Sequence, residues 1–354
     1  MYNDGSVMGK AIIPMARIKN KQDPERVRLE TVIPLKTPFV LQLAVASTCN
    51  FRCRYCPCST PDLLKKNNVK KGIMDYALYT KIIDALDEFP ENIKILRLVK
   101  EGEPLLNKRF ADMVRYAKEK QPSVTVDTTT NATLLTPEFS DDIIDAGLDK
   151  MFISLQGIND EVYKKLSGVH VDFEKLLENV VYFCKNRKKC KVYIKVPDIG
   201  VNAFEKKQFF KIFDRYADEM FVEHIIPTWP DFNISSVKKD DGIGLYGDPI
   251  VSEPVKICPI IFYNLNIDFE GSLAPCQLDW AHKIVLGNVK EHSLYELWNG
   301  ERFNDLRRIH LKGQREKHPL CGKCVTLEYC NVDNIDAYAE GLLKRMDSLP
   351  RRPV

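Results

Sequence analysis

The sequence predicts an α/β fold: a partial (β/α)6 barrel followed by a smaller C-terminal α+β domain. Three observations predict it. Short, β-rich apolar runs alternate with helix-patterned segments between residues 39 and 226, which marks strand–helix units and a parallel sheet. The units number six, fewer than the eight of a closed barrel. Beyond about residue 235 the alternation stops, and glycine, charge and small polar residues take over in SSVKKDDGIGLYGDPI, a composition that reads as loop or linker.

The strands are expected at 39–47, 93–99, 123–127, 150–156, 191–196 and 220–226, and the clearest helices at 75–89, 107–120, 173–187 and 204–217, where apolar residues recur at helical spacing. Two strands carry polar residues on one parity. Val192, Ile194 and Val196 oppose Tyr193 and Lys195, and Ile153 and Leu155 oppose Ser154 and Gln156. A parallel strand covered by helices on both faces would be apolar throughout, so these strands are expected to line a wet cavity on one side. Farther on, YNLNIDFEGSLAPCQLD predicts a hairpin turning at Glu270-Gly271, and SLYELWNGERFNDLRRI a helix interrupted by Gly300. The expected division is an N-terminal extension over 1–38, the barrel over 39–235, and a linker with the second domain over 236–354.

Composition removes several classes. With 354 residues, 44% of them hydrophobic, the chain can bury a core without covalent staples. Its N-terminus lacks a signal-peptide pattern, and its longest apolar stretch, FVLQLAVA, is too short to cross a bilayer. No membrane span and a cytoplasmic location are therefore expected. In that reducing compartment eleven cysteines read as metal ligands, catalytic groups or buried small apolar residues. Lys plus Arg number 52 against 49 Asp plus Glu, so no nucleic-acid partner is expected. The basic run CKNRKKCK at 184–191 reads as a solvated helix end.

Behind the first strand stands STCNFRCRYCPCS, with the spacing Cys49-x3-Cys53-x2-Cys56. A structural zinc or an ordinary iron–sulfur cube takes four protein ligands. This loop offers three well-spaced thiols, while Cys58 follows Cys56 too closely to be an easy fourth. Three thiolates on a four-iron cluster leave one iron open. The motif, with Tyr55 before its last cysteine, resembles the signature of the radical S-adenosylmethionine superfamily. That resemblance implies a [4Fe-4S] cluster whose open iron chelates S-adenosylmethionine. It also implies reductive cleavage to a 5′-deoxyadenosyl radical, and hydrogen abstraction from a substrate held by the protein. EGEP at 101–104 resembles the family's G-G-E-P, implying roles for Gly102 and Glu103, the latter on the cofactor's ammonium; Glu101 departs from the usual glycine. TTTNAT resembles the family's T-N-G segment and implies that Thr130 and Asn131 lie near the cofactor. Ser154 resembles its ribose-contacting position, with Gln156 beside it on the same face.

The later cysteines include Cys258, Cys276, Cys321, Cys324 and Cys330, a pattern that resembles the SPASM and shorter twitch auxiliary-cluster domains of the same superfamily. Asn334 stands where a full SPASM domain has its next cysteine, and none follows. The resemblance thus implies one auxiliary [4Fe-4S] cluster on Cys258, Cys276, Cys321 and Cys324, with Cys330 left over. The spacing x17, x44, x2 is similar to that of the aminocyclitol dehydrogenase of butirosin biosynthesis. Spacing alone equally permits a four-cysteine zinc site. Cys184 and Cys190 read as plain buried thiols.

The resemblance implies an oxidoreductase that takes a hydrogen from a carbinol carbon of a sugar or aminocyclitol and gives a ketone, with flavodoxin or ferredoxin as electron donor. Lys195, Gln156, Glu223 and His224 are the candidates to bind substrate, one of them deprotonating the hydroxyl. A sugar epimerase with Cys330 as hydrogen donor is the alternative. A peptide-modifying or sulfatase-maturing enzyme fits less well, because the second auxiliary cluster and an N-terminal peptide-binding domain are missing. A non-catalytic iron–sulfur or zinc protein is the reading from outside the enzymes.

Overall fold

A computed structural model describes residues 27–232, 234, 242–245, 249, 255–330 and 333–351. The expected linker stretch SSVKKDDGIGLYGDPI (235–250) lies mostly outside the described residues, and the N-terminal extension is described from residue 27. Six parallel strands follow the predicted order: β1 (Val40–Leu43), β2 (Ile95–Arg97), β3 (Thr125–Thr130), β4 (Lys150–Ser154), β5 (Lys191–Pro197) and β6 (Glu219–Glu223). Each pairs with the next in sequence. The first two are shorter than expected at their C-terminal ends. Residues 44–47 and 98–99 run on from the two strands into the loops that carry the site; most are buried, and Ala46 makes only an isolated antiparallel bridge to Ile73.

Helices Tyr76–Asp84, Phe110–Lys120, Phe173–Asn186 and Ala203–Phe213 match the predicted ones. Others went unread, among them Pro137–Ala146, capped by Thr136 with Pro at its first position, and Asp160–Ser167, capped by Asn159 and closed by Gly168 at φ +66°. The helices cover one face of the sheet. Val192, Ile194 and Val196 are fully buried there, while Tyr193 and Lys195 face the other way and are only half-buried, as the parity of β5 predicts. On that inner face the rings of Phe152 and Tyr193 stack at 4.6 Å, and Arg97 forks onto Asp127 across β2 and β3, both bonds 2.8 Å.

The hairpin expected at 270–271 is present as β7 (Asn264–Ile267) and β8 (Leu273–Ala274), paired antiparallel with Gly271 at φ +92° in the turn. Its place in the fold was not foreseen. β7 pairs in parallel with β1, Val40 opposite Asn264 through Leu43 opposite Ile267. All eight strands thereby form one sheet in the order β6-β5-β4-β3-β2-β1-β7-β8. The two ends of the series are not paired with each other, so the barrel is open. The long helix breaks at Gly300 as expected, into Leu294–Asn299 and Glu301–Leu311. Residues before β1 pack on this second part: the backbone oxygens of Leu35 and Lys36 accept from Trp298 Nε1 and Asn299 Nδ2.

Candidate active site

The loop between β1 and its helix carries Cys49, Cys53 and Cys56 at the C-terminal edge of the sheet, where open α/β folds place their ligands. Backbone bonds fix its path. Arg52 and Arg54 donate their N–H groups to the carbonyls of Ser167 and Leu166, and the Ser59 hydroxyl bridges the carbonyls of Cys53 and Cys56 at 2.6 and 2.5 Å. Burial pushes the Cys49 thiol up to about 11 and that of Cys53 to about 12. Cys58 differs. A hydrogen bond with Cys56 and the nearby Lys71 ammonium, 3.3 Å from its sulfur, bring it down to about 7.

Gly102 and Glu103 lock this loop to the ends of β2 and β3. A Cβ on Gly102, at φ +77°, would sit 2.5 Å from the carbonyl oxygens of Ala46 and Thr48, so only glycine fits. Glu103 is buried, and its carboxylate accepts from Leu105 N–H at 3.0 Å, Thr130 Oγ1 at 2.7 Å and Asn131 N–H at 2.7 Å. Burial raises it to about 7 against these three bonds. These donors order the strand ends around Glu103: Oε1 takes two of them and Oε2 one, which leaves acceptor capacity for a further donor. Thr130 supports that carboxylate from the end of β3. Asn131 instead faces Asn50, donating to its Oδ1 at 2.8 Å, and accepts from Thr133. Ala132 holds φ +62° where the resembling segment has glycine.

Tyr55 reaches across to β4, donating its hydroxyl to Gln156 Oε1 at 2.5 Å, while Ser154 ends β4 half-buried. Lys195 and Glu223 meet as an ion pair at 2.7 and 2.8 Å. His224 Nδ1 lies 2.5 Å from Asp198 Oδ2, and Asp198 Oδ1 accepts the N–H of Ile225. Asp198 was missed by sequence reasoning; its position just after β5 was the available signal. Glu223 stands within electrostatic reach of both Tyr55 and Cys330. The geometry thus pairs Tyr55 with Gln156 and Lys195 with Glu223.

Cys258, Cys276, Cys321 and Cys324 line a single cavity that is otherwise mostly apolar, with Ile260, Ile261, Leu278, Leu320 and Leu327 among its walls. Burial raises Cys258 and Cys321 to about 12 and Cys276 further. Arg315 clips the turn by donating to the carbonyls of Cys321 and Cys324, both at 3.0 Å. Cys330 lies outside the cavity lining but close to Cys324, and burial pushes its thiol to about 11. Among the described residues no three His, Cys, Asp or Glu side chains converge on one ion position.

Between the two thiol sets runs a buried charged chain that sequence reasoning did not find. Glu101, the residue departing from the usual glycine, pairs with Lys100 at 3.4 Å, Lys71 at 4.0 Å and His282 Nε2 at 2.9 Å. His282 Nδ1 lies 3.3 Å from Asp268. Their separation along the chain hid them.

With this geometry in place, comparison with known proteins defines the class. The Radical SAM superfamily model matches residues 43–206, and a model described as an iron-sulfur cluster-binding domain, SPASM, matches 258–325. The chain belongs to the radical S-adenosylmethionine enzymes, and its cofactors are S-adenosylmethionine and [4Fe-4S] clusters. Among the curated relatives, the tungsten-containing aldehyde ferredoxin oxidoreductase cofactor-modifying protein of Pyrococcus furiosus is 26% identical, over 82% of this chain and 88% of its own. The S-adenosyl-L-methionine-dependent 2-deoxy-scyllo-inosamine dehydrogenase of Niallia circulans is 23% identical, over 80% and 92%. The fold is that of solved BtrN in complex with AdoMet and 2-DOIA, at 20% identity and a TM-score of 0.50 over 81% of this chain and 92% of that one. The donor sets fit the cofactors. Three thiols on one loop leave an iron open for S-adenosylmethionine, and four thiols around a closed cavity can saturate a second cube. No described helix is long and apolar enough to cross a membrane.

Proposed function

We propose that the chain oxidises a carbinol carbon of a sugar or aminocyclitol to a ketone, in the cytoplasm, with a flavodoxin or ferredoxin as electron donor. Cys49, Cys53 and Cys56 hold the first cluster, and Cys258, Cys276, Cys321 and Cys324 the auxiliary one. When bound, the first cluster and S-adenosylmethionine supply the hydrogen-abstracting radical, and the auxiliary cluster supplies an electron acceptor. The carbinol loses a hydrogen atom from carbon, a proton from oxygen and one electron, so atoms and charge balance.

The observation that supports this reading is the Lys195–Glu223 ion pair at the ends of β5 and β6, whose Glu223 charge is felt by both Tyr55 and Cys330. Lys195 binds the substrate oxygen, and Glu223 takes the hydroxyl proton. Asp198 orients His224 as a further hydrogen-bonding group. Ser154 and Asn131 border the cofactor.

A second reading, a sugar epimerase, is favoured by one observation: burial keeps the Cys330 thiol protonated, and the Glu223 charge reaches it, so this thiol is a candidate to return a hydrogen atom. Turnover in deuterated water separates the two. The dehydrogenase gives a product lighter by two hydrogens, and Cys330→Ala leaves it forming. A product of unchanged hydrogen count carrying one solvent deuterium, abolished by Cys330→Ala, replaces the oxidation with epimerisation.

A further inference from the structure

The helix Glu301–Leu311 turns two buried donors toward the auxiliary site. His310 is fully buried and lines the cavity of the four cysteines. Its Nδ1 accepts the backbone N–H of Cys258 at 3.4 Å. A backbone N–H can only donate, so Nδ1 bears no proton and the ring hydrogen stands on Nε2. That Nε2 has no hydrogen-bond partner among the described residues. A buried donor left unpaired costs as much as a lost hydrogen bond, and a fully buried one on the wall of a four-thiol cavity points to an acceptor there.

One turn earlier, Arg307 is also buried. It stacks on Trp298 and Phe303 at 4.0 and 4.1 Å and donates to the carbonyl of Ile261, a residue of the same cavity wall, at 3.1 Å. Its Nη2 is unpartnered as well. A cation buried without a carboxylate is costly unless negative charge lies nearby.

We propose that His310 donates its Nε2–H to a sulfide or thiolate of the auxiliary cluster and so raises that cluster's reduction potential into the range where it accepts the substrate's electron. The proposal rests on the reading of Cys258, Cys276, Cys321 and Cys324 as cluster ligands. A hydrogen bond to sulfur favours the reduced cluster, which carries one more negative charge. His310 touches neither substrate nor S-adenosylmethionine; it is a positioning residue that acts through the cluster. His318 is the other histidine nearby, its Nδ1 accepting the N–H of Cys321 at 3.2 Å, but its ring is not part of the cavity wall.

The test uses the full chain with Cys49, Cys53 and Cys56 replaced by alanine and reconstituted anaerobically, so that the auxiliary cluster alone is titrated by electron paramagnetic resonance. His310→Asn keeps an acceptor for the Cys258 N–H but loses the donor at Nε2, and should shift the midpoint to lower potential with the iron content unchanged. His310→Gln puts an amide donor near Nε2 and should restore most of the shift. An unchanged midpoint in His310→Asn at full iron content overturns the proposal and leaves the cluster reading standing. Absence of iron in the parent overturns both. In a chain carrying His318→Gln and 15N-labelled histidine, the reduced cluster should show a nitrogen hyperfine coupling from His310. Its absence overturns the proposal with residue 310 untouched.

Discussion

The first thiol set hangs on one loop, its three cysteines within eight residues, and lies beside charged and hydroxyl-bearing side chains: Arg52, Lys71, Tyr55 and Glu103. The second is gathered from three segments separated by 17 and 44 residues, around a mostly apolar cavity. The contrast teaches how one chain can give two similar clusters different work. A loop with one ligand too few and polar neighbours binds a charged cofactor at the open iron. On the proposed assignment, four ligands in an apolar shell would leave no open coordination position and would tune the electron affinity instead. Such a shell forms only after the hairpin β7–β8, the helix Glu301–Leu311 and the turn at Cys321 have packed together.

The largest expected effect breaks the pair apart. The loaded chain should hold about eight irons, two cubes of four. Replacing Cys49, Cys53 and Cys56 with alanine should leave about four irons and abolish release of 5′-deoxyadenosine. Cys321→Ala or Cys324→Ala should end substrate turnover while some cofactor cleavage survives, and Cys330→Ala should keep the full iron load. Iron and 5′-deoxyadenosine measured on the same samples decide it. Iron loss in Cys330→Ala equal to that in Cys324→Ala contradicts the four-ligand assignment.

A smaller effect tests the charged chain joining the two regions. Burial alone would lower the pKa of His282, but its bonds to Asp268 and Glu101 outweigh this and lift it to about 9, while Lys100 and His282 hold Glu101, against its burial, down at about 2. The sign follows from linkage. A histidine raised in the folded state contributes stability that is complete below pH 6.5 and lost as pH climbs through 9. The corresponding loss is on the order of 3 kcal/mol at most. The loaded chain should therefore lose unfolding stability between those limits, and His282→Gln should be less stable at pH 6 and flatter above it. Parallel pH profiles of the two proteins in denaturant would contradict the role given to His282.

Local pattern was what could be read. Cys49-x3-Cys53-x2-Cys56, the parity of β5 and the break at Gly300 are each written within a few residues, and the structure places them as expected. What sequence missed is non-local. Nothing near Asn264 says that β7 will pair with β1, more than two hundred residues earlier, because parallel partners share no turn. Glu101 and His282 are 181 residues apart, so their contact has no sequence signature. The donors that position Glu103, from Thr130 at the end of β3 and Asn131 just after it, are likewise invisible in the motif itself. The helix Pro137–Ala146 was within reach, since Thr136-Pro137-Glu138 is a helix-start pattern.

The smallest effect concerns the polar strap of the first region, where Asn50, Asn131 and Thr133 bond one another around Ala132. Ala132 is fully buried at φ +62°, a conformation that costs an L-residue roughly 1–2 kcal/mol. Ala132→Gly removes that strain. Against it stand the wider freedom of glycine in the unfolded chain, about 0.5–1 kcal/mol, and the loss of one buried methyl, about 0.8 kcal/mol. The terms nearly cancel, so the melting temperature should stay within about 3 °C and cofactor cleavage should be unchanged. Ala132→Val serves as the contrast, because a β-branched residue at this φ is a steric outlier; it should fall well below both. A drop of many degrees in Ala132→Gly would mean that packing of this one methyl, and not the hydrogen-bonded strap, holds the loop beside the first cluster.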